Sequence, residues 1–192
     1  SSYRSNPIKL SEFALSRRVP EYVGRSKAAR DLADTVREGV VPAELTAVME
    51  ALALPAETLK NTTIGSGVFA NRPGDGSARE QAASCQKVLG GVANIAYSYA
   101  TKRYRSNCIN WGILPFTLDE STPFDYQPGD FLFVPGIKEA VKDGKEDIPG
   151  KMVTSSGVKD ILLHVKGLTE DEKTIILEGC LINYYAAGYG KD

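Results

Sequence analysis

One histidine and three cysteines are the only imidazole and thiol groups in this 192-residue chain, and they are scattered as Cys85, Cys108, His164 and Cys180. With no C-x-x-C pair and a single histidine to help, the spacing does not make a metal site. Free cysteine otherwise behaves as a small core hydrophobe, so three buried thiols in a reducing compartment, and hence a cytoplasmic protein, are expected. Apolar runs near the ~18 residues of a membrane helix are missing, and the first residues do not read as a signal peptide, so no membrane partner is expected. Excess charge of one sign is missing too: 23 basic and 24 acidic residues leave a net charge of −1. A chain without a one-signed field does not recruit nucleic acid, which is not an expected partner. The chain opens Ser1-Ser2 instead of on methionine, and we expect it to be a piece of a longer polypeptide. What it does have is 42% apolar content, enough at this length to bury roughly 70% of its unfolded-state surface in one core.

The most informative segment is Pro73-Gly74-Asp75-Gly76-Ser77-Ala78-Arg79-Glu80-Gln81-Ala82-Ala83. Gly74 and Gly76 are expected to turn the backbone through conformations closed to other residues, delivering Ser77 as the N-cap of a helix. The first N–H groups of that helix and the positive end of its dipole favour an anion, and Arg79 adds a planar fork suited to a carboxylate. Local pattern leaves two readings of Ser77, a plain N-cap or a reacting group. Making a serine hydroxyl a base near neutral pH requires offsetting about six pK units, equivalent to ~8 kcal/mol. A helix N-terminus supplies at most ~2 kcal/mol, so further donors, a metal or a closed site from elsewhere would be needed.

The run resembles the Gly-x-Gly-Ser-Ser-Arg-Glu-His-Ala-Ala motif in the C-terminal swivelling domain of the aconitase superfamily. The resemblance continues through Leu89-Gly90-Gly91, Tyr99-Ala100-Thr101-Lys102-Arg103-Tyr104-Arg105-Ser106-Asn107, Gly112-Ile113-Leu114-Pro115-Phe116 and Gln127-Pro128-Gly129-Asp130. Near the start, Tyr3-Arg4-Ser5-Asn6 and Ser11-Glu12-Phe13 resemble a segment of the bacterial aconitase-like hydratases. The resemblance implies an α/β fold, a layered β/β/α swivelling domain covering residues 1–192. It implies that Ser77 is the base that removes a proton alpha to a carboxylate, that Arg79 and Arg4 bind substrate carboxylates, and that Gly76 and Ala78 line the substrate. It also implies a [4Fe–4S] cluster held by other domains and not by this chain. The implied partners are those cluster-bearing domains of the parent protein and a small carboxylic acid, a di- or tricarboxylic hydroxy acid that is hydrated or dehydrated. The chain departs from the motif at Ala78 and Gln81, where the family has serine and histidine. Two alternatives stay open: a small subunit of the isopropylmalate dehydratase type, or a catalytically degenerate module that binds RNA or protein.

Local signals order the rest. Ser26 is expected to cap a helix to Glu38, with Ala28, Leu32 and Val36 on one face and Gly39 as its stop. Pro42 is expected to start a second helix to Leu54 carrying Leu45, Val48, Met49 and Leu52. Residues 24–60 therefore read as a helical insertion. Strands are expected at 62–69, 92–96, 113–118, 130–134 and 161–166, with helices at 77–89 and 99–111. A capping box at Thr169 and Glu172 opens a last helix interrupted at Gly179. Residues 144–157 read as a loop or irregular hairpin. His164 reads as structural, the 102–105 basic run splays around its helix, and Asn107 and Trp111 are expected to pack under the glycine-rich loop.

Overall fold

Asn6 and Pro7 begin the described chain with a helix start: the Asn6 side chain accepts from the Lys9 N–H at 3.1 Å, and Pro7 occupies the first turn of α1 (Pro7–Ser16). The computed structural model describes residues 6–17 and 19–190, so Arg4 lies outside the described residues. The sequence reading places no helix here. The second helix, α2 (Glu21–Arg37), begins before Ser26, which is 1% exposed and donates to the Val23 carbonyl from within the helix. Pro20 already sits in the helical region at φ −53°, so the helix is set up one residue before Glu21 and Ser26 is not its cap. Ala28 faces outward, while Leu32 and Val36 pack inward. Gly39, at φ +86°, ends the segment as expected.

Next comes α3 (Ala43–Ala51), with Pro42 just outside it and extended, then a 3₁₀ turn (Ala56–Asn61). Leu45, Met49 and Leu59 are buried together, with Leu32, Val36, Ile64 and Phe131 around them. The helical segment thus packs on its own domain. Arg30 of α2 also reaches the Val88 carbonyl, and the Tyr22 hydroxyl meets Ser66 Oγ at 3.3 Å.

The central segment alternates as β1 (Ser66–Phe69), α4 (Arg79–Val88), β2 (Gly91–Ala96), α5 (Lys102–Asn110) and β3 (Leu114–Thr117). β1 pairs parallel with β2, and β2 parallel with β3. Parallel neighbours need a crossover, and α4 and α5 supply it, packed against each other, with α1 laid along α4. After β4 (Phe131–Phe133) and α6 (Ile137–Lys142), the long antiparallel hairpin of β5 (Asp147–Thr154) and β6 (Gly157–His164) completes one mixed sheet ordered β1-β2-β3-β6-β5-β4. The expected α/β class holds.

Residues 144–157, expected as a loop or irregular hairpin, belong to a regular hairpin, β5 filling Asp147–Thr154 and β6 beginning at Gly157. β4 pairs only with Lys151–Val153 of β5, so Pro149 lies beyond the β4 ladder where proline is tolerated. Gly150 is a close approach: a Cβ there would come 3.2 Å from Leu132 Cδ1 and 3.3 Å from the Phe133 carbonyl. Inward side chains of both sheet halves, including Phe116, Ile148, Met152, Ile161 and Leu163, form the main core.

The chain ends with α7 (Glu170–Glu178) and α8 (Leu181–Ala186). The capping box forms reciprocally, Thr169 Oγ1 accepting from Glu172 N at 3.2 Å and Glu172 Oε2 from Thr169 N at 3.0 Å. Gly179, at φ +93°, breaks α7 from α8. No helix among the described residues is long and apolar enough to cross a membrane.

Candidate carboxylate-binding site

The loop leaving the carboxyl end of β1 is stitched to the loop leaving β2. The Tyr97 and Ser98 N–H groups both donate to the Asn71 carbonyl (3.2 and 3.3 Å), and the Ala100 N–H donates to that of Pro73 (2.9 Å). Gly74 is required twice over. Its φ is +97°, and a Cβ would lie 2.5 Å from Cβ and Cγ of Tyr104. Its carbonyl accepts from Arg79 Nε at 3.2 Å and from Thr101 Oγ1 at 3.0 Å. Gly76 differs from the expectation: it is not in the left-handed region, and no atom lies within 4 Å of where its Cβ would be. Gly74 alone makes the special turn, because only it rests on Tyr104, while Gly76 leaves open space beside Ser77.

Ser77 is not the cap of α4. The N-cap position falls on Ala78, at φ −90° and ψ 56°, with no side-chain capping bond, and the helix starts at Arg79. Ser77 is exposed and its hydroxyl makes no hydrogen bond among the described residues. The turn brings Gly76, Ser77, Ala78 and Arg79 together beside the first free N–H groups of α4. Arg79 is half-buried with Nε committed to Gly74; its Nη1 and Nη2 have no partner among the described residues. Glu80 and Gln81 are exposed in the first turn of the helix.

Below the turn lies a buried polar layer that sequence reasoning missed. Asn94 of β2 is 2% exposed, and its amide donates to the Tyr104 hydroxyl (3.1 Å) and Cys108 Sγ (3.3 Å), leaving Oδ1 without a partner. Tyr104 in turn donates to Gln86 Oε1 of α4 at 3.5 Å, and the Tyr99 hydroxyl donates to the Phe116 and Asn94 carbonyls at 3.0 and 3.3 Å. Burial raises the pKa of both tyrosines above the ordinary phenol range and pushes the Cys108 thiol up to about 11. The layer is therefore neutral near pH 7, a rigid floor and not a set of nucleophiles. Its one sequence signal is Asn94 itself, a polar residue amid the apolar run 92–96.

His164, 6% exposed, faces Asp147 Oδ1 at 2.8 Å through Nδ1 and Asp119 Oδ2 at 3.3 Å through Nε2. It sits at Thr117↔His164, the register pair that joins the parallel and antiparallel halves of the sheet. In the basic run, Lys102 and Arg103 are exposed, Tyr104 is buried, and Arg105 donates to the Lys166 carbonyl at 2.7 Å and pairs with Glu172 at 3.5 Å. Trp111 packs on the Ala83, Tyr104, Cys108 and Ile113 cluster between α4 and α5. Cys85 and Cys108 are buried and Cys180 half-buried, and no group of three or more His, Cys, Asp or Glu among the described residues could hold a metal ion. These donors do not fit an iron–sulfur cluster on this chain.

With this geometry in view, the family can be stated: the chain belongs to the aconitase C-terminal domain family, whose profile matches residues 23–121. It is 31% identical over 112 residues to a mitochondrial protein of Emericella nidulans named for aconitate hydratase activity. It is 34% identical over 113 residues to the 3-isopropylmalate dehydratase small subunit of Metallosphaera sedula. These matches cover 57% and 58% of this chain, and 14% and 66% of the respective relatives. A solved structure of 3-isopropylmalate dehydratase from Methanocaldococcus jannaschii shares 26% identity over 71% of this chain and 72% of that one, at a TM-score of 0.40.

Proposed function

We propose that residues 1–192 are the swivelling domain of a hydro-lyase that adds water to, or removes it from, a di- or tricarboxylic acid. The observation that carries this reading is Arg79: in a chain of this family, its Nη1 and Nη2 have no partner among the described residues, in the same turn as Ser77, at the carboxyl ends of two parallel strands. A guanidinium edge of that kind suits a carboxylate through two charge-assisted hydrogen bonds. Free N–H groups at the start of α4 add to the attraction.

In this reading Arg79 holds a substrate carboxylate so that the adjacent carbon presents its hydrogen to Ser77 Oγ, which takes the proton. Ala78 brings no hydroxyl, so recognition on this strand of the turn falls to Arg79 and the backbone N–H groups. Arg4 is proposed as a second carboxylate ligand from the residues preceding α1. Exposure of Ser77 means that water must be excluded by another surface closing over the turn, which is the part a cluster-bearing domain or subunit would play. The family's [4Fe–4S] group, a Lewis acid for a hydroxyl leaving group, would be carried by that other surface.

A second reading has its own support: the match to the small subunit spans 66% of that relative. There the chain would be the separate small subunit of an isopropylmalate-type dehydratase, with the same roles for Ser77 and Arg79. One screen tests both. The complete protein, prepared anaerobically with its cluster-bearing domains or subunit, is assayed with aconitate and with 3-isopropylmalate. Hydration of the first supports the multidomain reading and dehydration of the second the small-subunit reading; turnover of neither, nor of any other acid in a panel of di- and tricarboxylic hydroxy acids and their dehydrated forms, in a protein shown to be folded and cluster-loaded, overturns both.

A further inference from the structure

The Gly74 carbonyl has two donors, and they come from different elements. Arg79 Nε reaches it from the first turn of α4, and Thr101 Oγ1 from the N-cap of α5. Thr101 spends its one hydroxyl proton on that carbonyl, and its oxygen also accepts from the Tyr104 N–H at 3.2 Å. The Tyr104 ring lies directly under the Gly74 α-carbon, and the Ala100 N–H holds the Pro73 carbonyl one residue away. The position of the Gly74 oxygen is therefore dictated from α5, 27 residues along the chain. A guanidinium can take a carboxylate with two bonds along its Nε–Nη side or its Nη1–Nη2 end. Gly74 closes the first option by taking Nε–H.

We propose that Thr101 is a positioning residue for Arg79. By fixing the Gly74 carbonyl it locks the Nε–H and turns the Nη1–Nη2 end of the guanidinium to the substrate carboxylate. The inference rests on the reading of Arg79 as a carboxylate ligand, and it assigns to the loop after β2 a share in substrate orientation. Thr101 touches no substrate in this scheme; it acts through Gly74.

The test has one readout that needs no activity. In nitrogen-resolved NMR of the full chain, the Arg79 Nε–H is expected to exchange with water about tenfold more slowly than that of exposed Arg103, as a hydrogen-bonded proton should. Thr101→Val removes both hydrogen bonds at constant shape and should bring Arg79 to the Arg103 rate, while Thr101→Ser should keep the slow exchange. Thr101→Gly guards against a capping artefact, because glycine is tolerated at an N-cap and still lacks the hydroxyl; it should behave as valine does. In the complete enzyme, Thr101→Val should raise KM about tenfold with kcat within about threefold, and Thr101→Ser should restore it. Slow Arg79 exchange in both the valine and glycine variants overturns the linkage, and so does a fall in kcat with KM unchanged. If the complete protein turns over no carboxylic acid, the functional reading of Arg79 fails on its own, and the exchange rates still decide whether Thr101 holds it.

Discussion

Turnover by the complete protein falls about a thousandfold in Ser77→Ala, within the 10²–10⁴ range that one general base contributes, while the fold and its stability stay unchanged. The second half of that expectation comes from the structure. Were Ser77 the N-cap of α4, its loss would cost ~1 kcal/mol of stability. The cap position is instead Ala78, and Ser77 is exposed without a hydrogen bond among the described residues. A variant with wild-type melting and a collapsed kcat separates a reacting serine from a capping one. Parallel thermal melts and steady-state rates make the measurement, and an unchanged kcat removes Ser77 as the base.

Gly112→Ala is the most damaging single methyl the structure points to. Gly112 ends α5 at φ +67°, and its Cβ would fall on the Gly179 carbonyl, 2.6 Å from the carbonyl carbon. Neither backbone can give way, because Gly179 is itself left-handed, at φ +93°, where α7 breaks from α8. A left-handed alanine costs ~1–2 kcal/mol and over-packing another ~1–3 kcal/mol, so a loss of ~2–5 kcal/mol, or failure to fold, is expected. Urea titration should show a lower midpoint at unchanged slope. Gly24→Ala is the control: no atom lies within 4 Å of its Cβ position in α2, and it should stabilise slightly.

These two sites mark what could be read in advance. Gly112, Gly179 and the Thr169–Glu172 box carry local chemistry, a left-handed stop or a reciprocal cap, and local chemistry is visible in sequence. The strand, turn and helix order around residues 66–117 was legible for the same reason. Readings that failed did so where tertiary packing overrides local preference. Ser26 resembles a cap yet is buried inside α2, and residues 144–157 read as a loop or irregular hairpin yet carry the eight-residue strand β5. Ser77 itself missed the cap by one residue, because Gly74 is pinned by Tyr104 and the helix starts only after the chain has cleared that contact. The Asn94 layer and the Thr101 link were out of reach: each joins residues from separate elements through hydrogen bonds that no periodicity encodes.

The central claim is that this turn grips a substrate carboxylate through Arg79. Its most direct test is the KM of the complete protein carrying Arg79→Gln, measured with whichever of aconitate or 3-isopropylmalate it turns over. Losing a two-pronged charge-assisted contact is predicted to raise KM about a hundredfold, with the fold intact. A KM equal to that of the wild type would contradict the account, because Arg79 would then hold no part of the substrate.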